Sequence, residues 1–587
     1  MYKIFVKNEN RYIFSRPDET ILQALRREGM VMNAPCGGLG KCGKCKVLVE
    51  GKGQLLACQE KAEDGMVIDT TGAGLDTDQA QILTESFVNK NTDKAVYPLL
   101  RYVRIPVRPC PAGESVSDWT RFKEGASVCP GIQADHLQPD PAISSLIGPQ
   151  LKGFLRSHKG ESGMLYAAIV SDRVLHVSAE PFPAYMAAFD IGTTTVAGYL
   201  INTETGQTAA TVSCMNPQAQ YGADVIARAN YTLEHEAEPV SRCIREALNE
   251  LLSQMARQAR IISEDIYLIS IAGNTCMHHL FLGISVDSLV HAPYNPAVSE
   301  RMMLRAADYG IHANPRALLA MLPNIAGFVG ADTVACLVSS KLAEQKEWTL
   351  LIDIGTNGEM VLGKEHRMAA CSTAAGPAFE GAGISCGMRG AAGAISKALW
   401  EEDHWAFEVI GNEKIRGICG SGLLDITAQL LESGQMDETG DMDDIESILL
   451  ASPEQSATGK EIRLLRKDIR QLQLAKAAIA TGVRLLAKKM SVDLGEIRQV
   501  WLAGAFGSFL SPDSACTIGL IPPELRGRIR AIGNAAGEGA RDVLLDGEMW
   551  DYAAMTAHTT EFLELASMPE FNDTFIDEIM FPEAESN

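Results

Sequence analysis

The chain of 587 residues is 46% hydrophobic and 21% charged, with a formal charge of −22 at pH 7. Such a length exceeds what one hydrophobic core supports and predicts several domains of a folded, globular chain. The acidic balance argues against nucleic acid and anionic membranes as partners, because both call for a cationic face.

The N-terminus, "MYKIFVKNENRY", has no apolar signal core, and no run of 18 apolar residues follows, which reads as a soluble cytoplasmic protein. Residues 2–7 alternate apolar and polar side chains as a half-buried strand does, and 11–15 read as its hairpin partner. "DETILQALRREGM" reads as a helix, with Thr20 and Gln23 at capping-box spacing and Gly29 at its stop. A cysteine loop follows, "NAPCGGLGKCGKCKV", then strands at "KVLVE" and "MVIDT", so residues 1–72 form a small α+β domain.

Cys36, Cys42, Cys45 and Cys58 have the spacing C-x5-C-x2-C-x12-C. Structural zinc sites usually show two C-x2-C-like pairs, and only Cys42–Cys45 is one here. Disulfides fit poorly with a reducing compartment. A [2Fe–2S] loop fits best: plant-type ferredoxins use C-x4-C-x2-C with a distant fourth cysteine. Glycines in such a loop let backbone N–H groups turn inward toward sulfides.

Residues 73–95 are polar with little periodicity and read as a linker. Residues 96–183, proline-rich between Pro98 and Pro149, read as a small middle domain with a hairpin at "LYAAIVSDRVLHVSA". From 184 the pattern changes to strand, glycine turn and strand in "YMAAFDIGTTTVAGYLIN". "WTLLIDIGTNGEMVLG" repeats the design, so 184–345 and 346–560 read as duplicated halves, the second subdomain running with a C-terminal tail over 346–587. Helices are predicted at 241–257, with Ile244, Leu248, Leu251 and Met255 inward, and at 468–489, with Ile479, Val483 and Leu486 inward. Alternating strands and helices give an α/β multidomain architecture.

The twin D-I-G-T turns point to a phosphate site. Gly192 and Gly355 allow close backbone approach, and Thr193, Thr194, Thr195, Thr356 and Asn357 offer donors to phosphate oxygens. Asp190 and Asp353 are candidates to hold Mg²⁺ through its waters. Glycine-rich "CSTAAGPAFEGAGISCGM" contributes Gly376, with Glu380 a candidate for the ribose or base. "GICGSGLLD" offers Gly420 and Gly422, and "VWLAGAFGSFLSP" offers Gly504 and Gly507. Asn274, ending a strand in "IAGNTCMHHLFLG", is expected to line the phosphate cleft, whereas His278 and His279, adjacent on a helix, read as structural. Asp332 is a candidate polar group near the terminal phosphate or the attacking water, and Asp224 reads equally as a helix cap. The P-loop pattern G-x4-G-K-[ST] is absent.

Residues 1–72 resemble β-grasp ferredoxins of the plant and adrenodoxin type. The D-I-G-T pair and the 500–512 stretch resemble the phosphate and adenosine motifs of the RNase H-like superfamily of acetate kinase, sugar kinases, Hsp70 and actin. Together with "GNTCMHHLFLG" and "STAAGPAFEGA", these resemble the reductive activators of corrinoid proteins over nearly the whole chain. That resemblance implies an N-terminal [2Fe–2S] domain, an actin/Hsp70-type ATPase domain, and ATP-dependent reduction of an inactive Co(II) corrinoid protein to Co(I). It also implies a low-potential electron donor upstream and a homodimer built through the C-terminal domain. Two rival enzyme readings are an electron activator of the 2-hydroxyacyl-CoA dehydratase kind, whose cysteines lie inside the ATPase domain, and a metabolite kinase, which leaves the cysteine loop unexplained. An ATP-gated chaperone for a cobalt protein is the binding-module alternative.

Overall fold

The computed structural model describes every residue except 29, 31, 33–37, 39, 41–44, 72–96, 111–112, 158–162, 402–403, 444 and 584–587. The linker expected at 73–95, the helix stop at Gly29, and Cys36 and Cys42 lie outside the described residues.

Tyr2–Val6 and Arg11–Ser15 form the antiparallel hairpin that their alternation predicts. The helix Ile21–Arg27 starts at a full capping box: the Gln23 N–H donates to the Thr20 hydroxyl at 3.2 Å, and the Thr20 N–H donates to Gln23 Oε1 at 2.9 Å. Such a cap stabilises a short helix by about 1 kcal/mol. Leu22 and Leu25 on its inner face meet Ile4, Ile13, Val47 and Ile68 from the sheet. The sheet order is Arg11–Ser15, Tyr2–Val6, Val67–Asp69, Lys46–Val49, Gly53–Leu56, with Tyr2–Val6 and Val67–Asp69 parallel. Gly53–Leu56 is a strand that alternation did not reveal; none of its four residues is fully buried.

Leu100–Val107, Gly163–Val170 and Arg173–Ser178 make a three-stranded antiparallel sheet, the last two being the hairpin expected there. One face packs Ile105, Leu165 and Ile169 against Phe122, Ile143 and Ile147 of the helices Asp118–Ala126 and Pro141–Ser157. The other face, through Leu100, Ala168 and Val170, joins the core around Met186 and Leu268 of the following lobe.

Two larger sheets show the duplication. In the first lobe, Thr208–Met215, Thr195–Asn202, Tyr185–Ile191, Ile266–Gly273 and Leu318–Met321 lie side by side, with Met302–Arg305 at the edge. In the second lobe, Arg367–Thr373, Gly358–Lys364, Thr349–Ile354, Gln499–Ala503 and Ile529–Gly533 repeat that order, with Thr560–Phe562 beyond Arg367–Thr373. In each lobe the first three strands form an antiparallel meander and the next two add in parallel. The helices Glu238–Ala259 and Arg466–Met490 cover these sheets and bury every apolar position expected of them. Each fully buried aliphatic side chain there is worth about 1.5–3 kcal/mol.

The lobes meet through the helices Ala331–Ser340 and Ala535–Leu545. They approach so closely that a Cβ on Gly539 would sit 1.9 Å from the Ala335 carbonyl oxygen. The hydroxyls of Ser270 and Ser339, from the first lobe, donate to the Ala540 and Ala535 carbonyls of the second at 2.6 and 2.8 Å. These paired polar contacts fix how the strand ends of the lobes face each other. Among the described residues, no helix is long and apolar enough to cross a membrane.

Candidate functional site

Between the lobes lies a cleft of about 1020 Å³ that brings the two D-I-G-T turns together. Asp190 ends the first strand of one lobe and Asp353 occupies the same place in the other, and both line the cleft with Asp332 and Glu359. Four carboxylates at the bottom of one cleft raise the cost of ionisation for each. Burial, then Asp332, pushes Asp190 up to about 7 from the usual 3.8, with a hydrogen bond from Asn534 acting the other way. Burial, then Asp332 and Asp190, pushes Asp353 up to about 7. Asp332 rises to about 6 through burial, opposed by hydrogen bonds such as that from the Thr333 N–H. Glu359 is raised by burial first and by Asp332 and Asp353 next. Among the described residues, no three His, Cys, Asp or Glu side chains converge closely enough to ligate a metal ion directly.

Glu359 stands in the quoted motif, yet no pattern there marks it as a cleft residue. Its position comes from pairing: the antiparallel register sets Glu359 directly opposite Asp353, whereas Asp190 faces Ala197 in the other lobe. Asn534 was also missed; it caps the helix Ala535–Leu545 by accepting from the Gly537 N–H at 2.8 Å. Strand–Asn–helix is the only sequence signal that marks it.

The threonine turns are held from behind. Asn274 caps the helix Thr275–Leu282 by accepting from the Met277 N–H at 3.0 Å, and its amide donates to the Thr193 hydroxyl at 3.0 Å. Arg228, fully buried and unremarked in the sequence, donates to the Thr193 carbonyl at 2.5 Å and to the Gly222 carbonyl at 2.9 Å. Asp224 is the N-cap of the helix that carries Arg228. In the second lobe the Gly355 N–H donates to the Asn357 carbonyl at 2.8 Å and closes the turn. Gly192, Thr194, Thr195, Gly355, Thr356 and Asn357 all line the cleft. His278 and His279 are buried in the helix after Asn274; the His279 ring bonds the Thr275 carbonyl at 2.8 Å.

Glu380, the candidate for the ribose or base, places its carboxylate on the two D-I-G-T turns, accepting from Thr194 at 2.9 Å and from Thr356 at 2.5 Å. Gly422 and Gly507 do not line the cleft. A Cβ on Gly422 would lie 2.1 Å from the Ile395 carbonyl oxygen, and one on Gly507 would lie 2.9 Å from the Leu502 Cβ, so both glycines serve helix packing. Gly376 also stands behind the lining, where its N–H donates to the Thr356 carbonyl at 3.0 Å. Gly504 and Gly420 do reach the cleft. Gly504 has φ +80°, and a Cβ there would sit 2.6 Å from Asp353 Oδ1, so only glycine fits. Beside it the Phe379 and Phe506 rings stack at 4.9 Å, a flat apolar wall suited to a nucleobase.

In the N-terminal domain, Cys45 and Cys58 are buried and are brought near each other by the bond from the Ala57 N–H to the Cys45 carbonyl at 2.8 Å. Gly38 and Gly40 have φ +103° and +74° and lie over Cys58 and Gln59. Buried thiols under a loop of left-handed glycines fit a cluster site, and the donor set is all sulfur.

Residues 4–67 match the 2Fe-2S iron-sulfur cluster binding domain, 185–345 the RACo middle region, and 347–587 the C-terminal domain of RACo, the ASKHA domain. The corrinoid activation enzyme RamQ of Eubacterium limosum is 32% identical over 579 residues, covering 94% of each chain. A [Co(II) methylated amine-specific corrinoid protein] reductase of Methanosarcina barkeri is 24% identical over 430 residues, 68% of this chain and 77% of its own. The solved structure of a reductive activator for corrinoid, iron-sulfur protein superposes with a TM-score of 0.75 at 29% identity, covering 99% of both chains.

Proposed function

Since the chain belongs to the RACo family of corrinoid activators, we propose that it uses ATP hydrolysis to drive one electron onto the Co(II) corrinoid of a partner protein, restoring Co(I). One observation carries this reading: a [2Fe–2S]-type domain and a duplicated nucleotide cleft occur in one chain that aligns nearly end to end with a corrinoid activation enzyme. Cys36, Cys42, Cys45 and Cys58 are the proposed ligands, and a bound cluster supplies one-electron carriage between donor and corrinoid. The division into 1–72, 73–95, 96–183, 184–345 and 346–587 is proposed as the working one. The electron donor is proposed to be a low-potential carrier, the setting the reducing cytoplasm, and the active form a homodimer through the C-terminal domain.

In the cleft, Thr193, Thr194, Thr195 and Thr356 bind the phosphates, and Asn274 and Arg228 hold Thr193 in place. Asp190 and Asp353 would hold a Mg²⁺ ion through its waters, and its charge would offset the mutual repulsion of the acids. Asp332, pushed up to about 6 by burial and lining the same cleft, would be the group that accepts a proton from water attacking the terminal phosphate. Phe379 and Phe506 form the adenine wall. Electron transfer to Co(II) runs uphill from a ferredoxin-like carrier; a gap on the order of 200 mV corresponds to roughly 5 kcal/mol. Two lobes that change their separation with the nucleotide supply two partner affinities, so that partners part after transfer and back-transfer is blocked.

The test is ATPase activity with and without a Co(II) corrinoid protein, read beside Co(I) absorbance. Stimulation by the partner together with Co(I) formation is expected. Phosphorylation of a small metabolite, or partner binding without reduction, overturns it.

A further inference from the structure

Glu380 is the last residue of a single turn, Pro377–Glu380, framed by Gly376 and Gly381 at φ +78° and +76°. Both ends of that turn are anchored in the second lobe. The Gly376 N–H is tied to the Thr356 carbonyl, and a Cβ on Gly381 would lie 2.3 Å from the Met388 carbonyl oxygen. From this base the side chain spans the cleft: Oε2 accepts from the first-lobe Thr194 hydroxyl and Oε1 from the second-lobe Thr356 hydroxyl. These are two of the four threonine hydroxyls that the reading above assigns to the phosphates, one from each turn. A hydroxyl has one proton to donate, so each can serve one anionic oxygen at a time. Asp190, Asp332, Asp353 and Glu359 line the same cleft, which makes a further anion beside Glu380 unfavourable while the carboxylate stays in place.

We propose that the Glu380 carboxylate is an internal competitor of the nucleotide's terminal phosphate. It ties Thr194 to Thr356 across the cleft and yields both hydroxyls to a γ-phosphate, so that its release distinguishes a triphosphate from a diphosphate. This deepens the nucleotide reading above and rests on it. Release needs only rotation of one side chain, because the backbone turn is fixed at both ends.

The experiment is calorimetric binding of ADP and of a non-hydrolysable ATP analogue to the full holoprotein, in wild type, Glu380→Ala and Glu380→Gln. The visible spectrum of the cluster serves as the check on folding. Glu380→Ala should tighten the triphosphate by about tenfold or more, the worth of one or two hydrogen bonds to a charged group, and ADP by less than about threefold. Glu380→Gln keeps the shape and one acceptor and should fall between; it carries the test alone if the alanine variant does not fold. In a Thr194→Val background, Glu380→Ala should give a smaller gain, since the two act on one contact. Weaker triphosphate binding in Glu380→Ala, or equal shifts for ATP analogue and ADP, overturns the proposal while leaving the nucleotide reading standing. No binding of either nucleotide to wild type overturns both.

Discussion

Asp190 owes its high value to burial beside Asp332, and that has a sign in stability. Its folded value of about 7 lies above the ordinary 3.8. The protonated carboxyl therefore contributes stability that is complete below about pH 4 and lost as pH rises through about 7. Asparagine does not titrate, so Asp190→Asn should gain on wild type across that window, by about 1–3 kcal/mol once cleft water is allowed for. Denaturant melts at about pH 5 and about pH 8 read the difference; an equal gap at both ends the buried-charge account. ATP turnover should be lost at either pH, and the cluster spectrum kept. Gly504→Ala tests the other side of the same cleft. Its left-handed backbone costs alanine about 1–2 kcal/mol, and its Cβ meets Asp353 Oδ1, so both melting temperature and ATP affinity should fall. Unchanged ATP affinity would show that Gly504 serves only the fold.

At the scale of elements, the caps do double service. Asn274 both starts the helix Thr275–Leu282 and restrains Thr193. Asn274→Ala should cost about 1 kcal/mol of stability for the lost cap. Asn274→Ser restores a capping oxygen but not the reach to Thr193. It should therefore recover the melt and leave ATP turnover down by about tenfold, the scale of one lost hydrogen bond. Recovery of turnover with the cap would make Asn274 purely structural. The period of the pattern made much of the fold legible: the alternation of 2–7 and 11–15, the apolar face of the helix Glu238–Ala259, and two strand–glycine–strand repeats. What stayed hidden depends on how elements meet. Glu359 becomes a cleft residue only through a register that pairs it with Asp353. Arg228 lies on a helix whose burial shows no sign of the Thr193 carbonyl it holds. Gly422 and Gly507 looked like nucleotide glycines because close helix packing and close phosphate approach select the same residue. The reach of Glu380 to Thr194 and Thr356 was equally hidden, because its turn, not its neighbours in sequence, sets its direction.

At the scale of the whole molecule, a buried cation of the N-terminal domain meets the first lobe. Arg26, on the helix Ile21–Arg27, is 9% exposed and lies over the Tyr221 and Tyr231 rings of the first lobe at 5.0 and 5.7 Å. Burial lowers its proton affinity, while Tyr231 bonds to it and Cys45 lies near enough to act in the opposite direction. Tyr221 immediately precedes Gly222, whose carbonyl is held by Arg228, the same side chain that holds Thr193. A continuous set of contacts thus joins the first D-I-G-T turn to the helix packed beside Cys45. A desolvated cation over aromatic rings is worth about 2 kcal/mol, or roughly a thirtyfold bias toward the docked arrangement. Arg26→Ala should shift the holoprotein toward a larger radius of gyration in solution scattering and raise hydrogen exchange over the helix Val225–Glu234. Arg26→Lys keeps the charge without the planar guanidinium and should fall between them. If the nucleotide turns and the docked helix are coupled through Arg228, ATP analogue will alter exchange over residues 221–234 in wild type and less so in Arg26→Ala. The same response in both would mean that the phosphate turns and the cluster domain move independently.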